Sequence, residues 1–425
     1  MAHDREAPTR TDPVAAAMSE IVGGPLGDHA GGHPWWSAQR ALLGLTAVVL
    51  SAGMLSKSAC VPSGWGRQDQ PFAQLCWSDL AGTSADAGSP PTVATWLERL
   101  AGLFPGGGTV ATTAGLAVLL AALALLTTVL LVRVDASRPW AAAGWALSPV
   151  LLVHWLSWDL VAAAGVAVLL WGWASGRGWV AGIGAGVAAA FALPVAVVLL
   201  GVVAVGGRLR DRVDALLAAA ATYVVISAPG RARVEEPDTG SVWLLLQQAA
   251  VGTSTATRAA VQLAVLAGAG GVVWWLVRRA GRPTVRTSAR AGLVVMAAAL
   301  AVAPSAPPEH ALLALPLAAI AVRRWRDLLV WQGLHLISWV ITGWYVGNAL
   351  VPTVTDDLRA YWLAVVLRVA GLLWLVVAVV RDASDDGASD DDSDDDSDDD
   401  DAIDVGRGEP DPDVDVLTDA RHPGA

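Results

Sequence analysis

The stretch ATTAGLAVLLAALALLTTVLLV, residues 111–132, carries no charged side chain over 22 consecutive positions. An α-helix of this length crosses the ~30 Å hydrocarbon layer of a bilayer. A helix also pairs its backbone N–H and C=O groups within the segment, which lipid requires because it offers no water. Residues 328–347 and 361–380 repeat the pattern, and Arg368 is the only charged residue in the last stretch. These three stretches predict helices that lie in a membrane.

The composition excludes a soluble protein with one large core. Hydrophobic residues make up 54% of the 425 positions, and the mean hydropathy is +0.50. They occur in long blocks rather than in the periodic stripes typical of half-buried helices and strands. We therefore expect an all-α, polytopic membrane protein.

About a dozen hydrophobic segments follow one another along the chain. They are residues 41–56, 111–132, 140–155, 160–174, 180–190, 194–206, 215–228, 260–277, 291–303, 311–322, 328–347 and 361–380. Several are too short to span a bilayer alone, so some are expected to be short or re-entrant. We expect a break at residues 191–194, because Pro194 cannot continue a helical hydrogen-bond ladder. Asp159 interrupts the apolar run at residues 157–159 in a similar way.

Charge divides the chain into three parts. Residues 1–40 form a polar cytoplasmic segment, 41–381 the membrane domain, and 382–425 an acidic tail that is expected to be disordered. The tail holds 19 acidic residues and two arginines, including the run DDDSDDDSDDDD at 390–401. With both termini inside, eighteen basic residues fall on inner stretches and seven on outer ones. This asymmetry predicts a plasma-membrane protein with cytoplasmic termini.

The predicted outer stretches are residues 57–108, 157–159, 229–243 and 304–310, and they contain the candidate functional residues. Asp159 lies at membrane depth, where a carboxylate is usually functional; alternatively, it caps a helix beginning at Leu160. Asp79 lies in the first outer loop. Cys60 and Cys76 flank that loop, and outside the cell such a pair is expected to form a disulfide.

Other signals are less specific. Many of the 21 tryptophans lie near segment ends, which fits either an interfacial aromatic belt or a wall that stacks on sugar or prenyl groups. The sequence contains no phosphate-binding loop, dinucleotide fingerprint, Cys/His metal cluster or Ser-His-Asp signature. The glycines at 178–186 follow no strand and indicate close helix packing. We expect no metal site and no nucleic-acid partner.

Several motifs together resemble the polyprenol-phosphate-mannose-dependent glycosyltransferases of actinobacteria, which are glycosyltransferase family 87 of the GT-C superfamily. The resemblance extends from about residue 23 to residue 382. It rests on GGPLGDHA before the first segment, KSAC and CWSD in the first outer loop, ALSPVLLVHWLSWDLVA, DTGSVWLLL, RWRDLLVWQ, GWYVG and YWLAVVLRVAGLLWLVVAVVRD.

The resemblance implies a GT-C-like helical bundle that moves a sugar, typically mannose, from a polyprenyl phosphate to an acceptor on a cell-envelope glycan or lipid. The reaction inverts the sugar carbon at the outer face, and Asp79 matches the position of the carboxylate base. Asp159 is the second catalytic candidate. The candidate substrate-binding residues are Trp77, Trp158, Arg231, Arg233, Asp238, Glu309 and His310. No cofactor is implied beyond the lipid-linked donor.

Three motifs that are common in this family are replaced here. Glu-Tyr-Pro after the first loop is absent, Lys-Leu-Tyr-Pro is Phe191-Ala192-Leu193-Pro194, and Ser-Pro-Gln-Tyr becomes PSAPPEH. Two interpretations follow. The chain is a diverged transferase that uses Arg231, Arg233 or His310 as its cation, or it is a catalytically silent relative that acts as a scaffold or handles lipid-linked sugars.

Overall fold

The computed structural model describes residues 37–60, 70–80, 92–103, 108–227, 236–280, 283–350 and 358–394. Every regular element in these ranges is helical, which confirms the predicted all-α fold. In chain order the helices are α1 (Ala38–Ser56), α2 (Gln70–Ala73), α3 (Thr92–Ala101), α4 (Gly108–Val134), α5 (Ala143–Ala146), α6 (Pro149–His154), α7 (Asp159–Ala174), α8 (Gly178–Phe191), α9 (Ala196–Ala204), α10 (Leu209–Ile226), α11 (Val242–Gln248), α12 (Thr255–Arg279), α13 (Val285–Ala301), α14 (Ala311–Ala321), α15 (Trp325–Val346) and α16 (Arg359–Asp394). Short 3₁₀ turns lie at Ser58–Cys60, Pro139–Ala142, Leu193–Val195 and Pro308–His310.

Four stretches of the described chain are long and apolar enough to cross a bilayer. They are Ala38–Cys60, Val110–Val134, Thr255–Arg279 and Arg359–Asp386. Each contains one of the predicted hydrophobic segments, and each meets the ~20-residue length that a spanning helix needs. The chain is therefore a membrane protein.

Helices α7 and α14 form the centre of the bundle. All eleven residues of α14 are buried, as are twelve of the sixteen residues of α7. α7 packs against α4, α8 and α14. Both helices are apolar around their whole circumference, which is expected where protein surrounds a helix on every side. Their first turns lie at the candidate site described below.

The chain breaks at residues 191–194, as the sequence predicts. α8 ends at Phe191, Ala192 is extended with φ −138° and ψ 99°, and Pro194 lies in the 3₁₀ turn before α9. A second interruption separates α6 from α7 around Ser157 and Trp158. These breaks explain why neither run forms one long helix.

A stripe of glycines joins α8 to α10. A Cβ atom at Gly178, Gly182 or Gly186 would lie 2.1, 2.2 or 2.6 Å from a backbone oxygen of α10. The two helix backbones therefore touch, and only glycine fits at these three positions. This close approach is the packing that the glycine spacing predicts.

Two compact units divide the chain, Met1–Ser384 and Asp385–Ala425. Asp382, where we expected the tail to begin, belongs to the first unit and is 1% exposed. Its Oδ2 accepts a hydrogen bond from the backbone N–H of Arg323 at 3.0 Å. In the second unit the helix continues to Asp394, and the predicted acidic run beyond that residue lies outside the described residues.

Candidate active site

The loop after α1, which the sequence predicts to be outside, is fixed to the end of α1 by two links. Cys60 and Cys76 are joined in a disulfide with Cα atoms 6.1 Å apart. The buried Lys57 donates from Nζ to the backbone oxygen of Trp77 at 2.8 Å. A crosslink over this separation stabilises a fold by roughly 3 kcal/mol. Together the links hold residues 76–79 in place.

Asp79 is held against the turn that precedes α7. Ser157 Oγ and the backbone N–H of Trp158 donate to Asp79 Oδ2 at 3.0 and 3.1 Å. Ser78 Oγ donates to Leu156 O at 2.6 Å, which adds another hydrogen bond between the same two segments. No described residue donates to Asp79 Oδ1, and the residue remains exposed. Its second oxygen is therefore available to a substrate hydroxyl.

Asp159 does not cap α7, and this alternative from the sequence is wrong. Asp159 is itself the first helical residue, and Trp158 occupies the capping position without a side-chain hydrogen bond. The carboxylate instead lies 2.7 Å from Nδ1 of His310, and both side chains are largely buried. The backbone N–H of Asp159 donates to Ser157 Oγ. Ser157 thereby connects the carboxylate of Asp79 to the backbone of Asp159.

Glu309 joins the cluster through Trp77. The indole N–H of Trp77 donates to Glu309 Oε1 at 2.5 Å. The ring packs against Trp339 of α15, with ring centroids 5.5 Å apart. A Cβ atom at Gly343 would lie 2.6 Å from the same indole, so the glycine makes room for it. Trp77 thus bridges the loop after α1, the 304–310 stretch and α15.

The electrostatics of the cluster follow from three carboxylates held close together. Burial raises the pKa of Asp79 to about 8, and the nearby charges of Glu309 and Asp159 add to the shift. Solvent reaches the residue, but protein atoms surround the carboxyl group. Because its pKa is above 7, the Asp79 carboxyl is mostly protonated at neutral pH.

Glu309 and His310 lie in the 3₁₀ turn ahead of α14, and the pKa of each is raised. For Glu309 the main cause is burial, which the Trp77 hydrogen bond and the Lys57 charge oppose. Burial alone would lower the pKa of His310, but the charge and hydrogen bond of Asp159 outweigh it. Asp159 therefore stabilises the protonated form of His310.

Residues 238–241 and 304–306 form the neighbouring wall. The backbone N–H of Asp238 donates to Pro304 O at 3.0 Å, while its carboxylate binds the backbone N–H of Thr239. Gly240, with φ +81°, donates to Tyr361 Oη at 2.7 Å, and a Cβ atom there would strike Ala306 O. Asp238 thus shapes a loop, and its carboxylate also accepts a hydrogen bond from Ser305 Oγ at 3.5 Å, across to the second stretch.

Arg368 of α16 lies behind this wall. Its Nη1 donates to Ala306 O at 2.7 Å, and only 9% of the residue is exposed. Its Nε and Nη2 are buried without a hydrogen-bond partner among the described residues. Its positive charge also acts on His310. A buried guanidinium with two unused donors is suited to bind an anion.

The other sequence candidates divide into two groups. Trp158 packs on Phe191 with ring centroids 6.0 Å apart, so it lies beside the cluster. Arg231 and Arg233 lie outside the described residues.

Sequence reasoning missed Lys57, Ser157 and Arg368 as members of the site. Arg368 carried the clearest signal, because a lone arginine inside an apolar segment is usually functional.

The described residues contain no group of three or more His, Cys, Asp or Glu side chains that could hold a metal ion. What the site offers is acid–base and electrostatic chemistry: an accessible carboxyl, a His–Asp pair, a buried lysine and a buried arginine.

No protein-family model, no curated protein and no solved structure matches this chain.

Proposed function

We propose that the chain is a GT-C-like membrane glycosyltransferase that uses a polyprenyl-phosphate sugar as donor, typically mannose. The acceptor is a hydroxyl of a cell-envelope glycan or lipid at the outer face of the plasma membrane. In this proposal about a dozen hydrophobic segments form the bundle, some of them short or re-entrant. Both termini, including the acidic tail, are cytoplasmic.

One observation carries the proposal: Asp79, Asp159, Glu309 and His310 come from three separate loops and meet in one cluster. Buried carboxylates repel one another, and their desolvation is unfavourable. A purely structural bundle has no need of such a cluster. Proton transfer at a membrane-embedded site does need it.

In the proposed reaction, Asp79 is the general base. The acceptor oxygen attacks the anomeric carbon of the donor as the bond from that carbon to the phosphate oxygen breaks. Asp79 takes the hydroxyl proton, the polyprenyl phosphate leaves with the bonding electron pair, and the sugar carbon is inverted. Cationic His310, held by Asp159, and Arg368 stabilise the phosphate as its charge grows.

A second candidate function is a catalytically silent scaffold or lipid-linked-sugar handling protein. It is favoured by the two hydrogen bonds that Asp79 already accepts and by its pKa of about 8. A protonated carboxyl tied to Ser157 and Trp158 would fasten two loops together without doing chemistry.

Sugar transfer by the purified full-length protein distinguishes the two. The assay reconstitutes the chain in liposomes with radiolabelled polyprenyl-phosphate mannose and an envelope extract as acceptor. Asp79→Asn keeps the shape and removes the base, so turnover should fall about 10²–10⁴-fold. Asp214→Asn is the matched control, because within the described part of the chain the ion pair of this carboxylate is with Arg210 on α10, away from the cluster.

If the wild type transfers sugar and the Asp79→Asn variant transfers it equally fast, Asp79 is not part of the mechanism. Donor binding without any transfer, with envelope glycans unaltered in a deletion strain, would favour the silent protein.

A further inference from the structure

A second polar site lies where the turn after α4 meets the turn before α15. A pocket of ≈ 390 Å³ opens between them. Its floor is made of small and apolar side chains, and Gly144 packs tightly there: a Cβ atom would lie 2.9 Å from Leu328. None of the residues that form the candidate active site lines it. It is therefore a separate site.

Three arginines from two separate turns face this pocket: Arg138, Arg323 and Arg324. They are the only charged side chains among the described residues that line it. Two aspartates that do not line the pocket contact these turns. Asp135 binds Arg138 at 3.1 Å, and Asp382 lies 3.8 Å from Arg324. Each guanidinium presents its N–H donors in a planar fork, a geometry that suits the oxygens of a phosphate.

Asp382 is placed where a ligand cannot reach it easily. Asp382 is 1% exposed, whereas Arg323 and Arg324 are exposed. Behind them, Arg381 pairs with the fully buried Asp327 and ties α16 to the start of α15. The turn that presents the arginines is therefore braced from behind, and its positive charge is directed towards the pocket.

Two tryptophans flank the opening. Trp140 and Trp325 line the pocket and are 55% and 49% exposed. Indoles with one apolar and one polar edge concentrate at the level of lipid headgroups. Basic pockets between membrane helices at this level bind phosphate-bearing headgroups.

We propose that this pocket binds the phosphate of an anionic ligand at the membrane surface. The arginines supply charge-assisted hydrogen bonds to phosphate oxygens, and the tryptophans pack on the apolar part of the ligand. Two sources carry this chemistry, the headgroup of an anionic phospholipid and a soluble phosphate ester. The site is independent of the proposed sugar transfer.

The test uses the full-length protein in nanodiscs, with phosphatidylglycerol in a phosphatidylcholine background as the lipid probe and glycerol 3-phosphate as the soluble probe. Native mass spectrometry counts the lipid retained, and a titration gives the apparent Kd. The double variant Arg323→Gln/Arg324→Gln should weaken binding about 30-fold, or about fivefold per arginine. Arg326→Gln is the matched control, because Arg326 lies just after the two arginines in the first turn of α15, contacts Asp327 and does not line the pocket.

Saturable phosphatidylglycerol binding that the double variant loses and the control keeps supports a lipid site. Displacement by glycerol 3-phosphate with the same dependence on the arginines supports a soluble phosphate ester. Equal loss in the control would overturn the proposal, because it would show a general charge effect. Failure of the wild type to bind either probe would also overturn it, and this measurement does not depend on whether a variant folds.

Discussion

Asp79 determines how the proposed activity should respond to pH. A base must be deprotonated to accept a proton, and burial holds the pKa of Asp79 at about 8. We therefore expect kcat/KM to rise with pH as Asp79 loses its proton near pH 8, and to fall again where His310 loses its own. The pH–rate profile of the reconstituted protein measures this. A profile that is flat between pH 6 and about 9 would contradict the assignment of Asp79 as the base.

Asp159 and His310 should act as one unit. Asp159→Asn removes the charge that raises the pKa of His310, so the protonated imidazole that is proposed to bind the donor phosphate becomes less populated. We expect the KM for the donor to rise about 10- to 100-fold, as for the loss of a charge-assisted hydrogen bond. His310→Gln should have the same effect, and the double variant should be little worse than either single one.

Strictly additive losses in that cycle would show that the two side chains act separately. The pH dependence caused by Asp79 should persist in all three variants, which separates a role in binding phosphate from a role as the base.

Sequence reasoning named four of the clustered side chains, Asp79, Asp159, Glu309 and His310, because carboxylates and histidine next to apolar runs are conspicuous. It could not pair them, since the Asp159–His310 contact joins residues 151 positions apart. Lys57 and Ser157 escaped notice because a lysine at a helix end and a serine in a turn are ordinary. Their roles depend on tertiary contacts that no local pattern encodes.

At the scale of helices, the glycines of α8 decide how closely two backbones approach. A Cβ atom at Gly182 would lie 2.2 Å from Ala215 O, and neither backbone can move easily inside the bundle. Gly182→Ala should therefore destabilise the fold by about 1–3 kcal/mol, the usual cost of overpacking. Gly268→Ala is the control: that glycine has no atom within 4 Å of the new methyl, and alanine is the better helix former.

Thermal unfolding in detergent, followed by size-exclusion chromatography, compares the two variants. We expect a lower Tm for Gly182→Ala and an unchanged or higher Tm for Gly268→Ala. Equal Tm values would mean that α8 and α10 separate enough to admit a methyl group.

The sequence predicted that the regular elements are helices, but it predicted their number and boundaries less well. Long uncharged runs such as residues 111–132 identified spanning helices directly, and Pro194 identified the break after α8. The short helices are harder, because α7 and α14 are apolar on all sides and buried in protein. Hydropathy cannot distinguish such a helix from one that faces lipid.

At the scale of the whole molecule, the two polar sites lie at opposite ends of the same helices. His310 of the candidate active site directly precedes α14, and Val322 of the arginine pocket directly follows it. In α15, Trp325 lines the pocket and Gly343 contacts Trp77 of the site. Those two positions are separated by about 27 Å along a helix, which is close to the thickness of the hydrocarbon layer.

This separation agrees with the charge count from the sequence. The stretches predicted to be outside, around residues 79, 157–159, 238 and 304–310, meet at one end. The arginine-rich turns predicted to be inside, around residues 138 and 323, meet at the other. An orientation with the active site outside then places the arginine pocket in the cytoplasm.

Labelling of single cysteines in intact cells tests that orientation. Ala136→Cys places a thiol in the exposed turn after α4, and Gly252→Cys places one in the exposed turn before α12. The native Cys60 and Cys76 are joined to each other and do not compete. A membrane-impermeant maleimide should label Gly252→Cys and leave Ala136→Cys unlabelled until the cells are permeabilised. The reverse pattern would put Asp79 and His310 in the cytoplasm, where they could not act on an acceptor at the outer face, and the proposed outer-face transfer would fail with it.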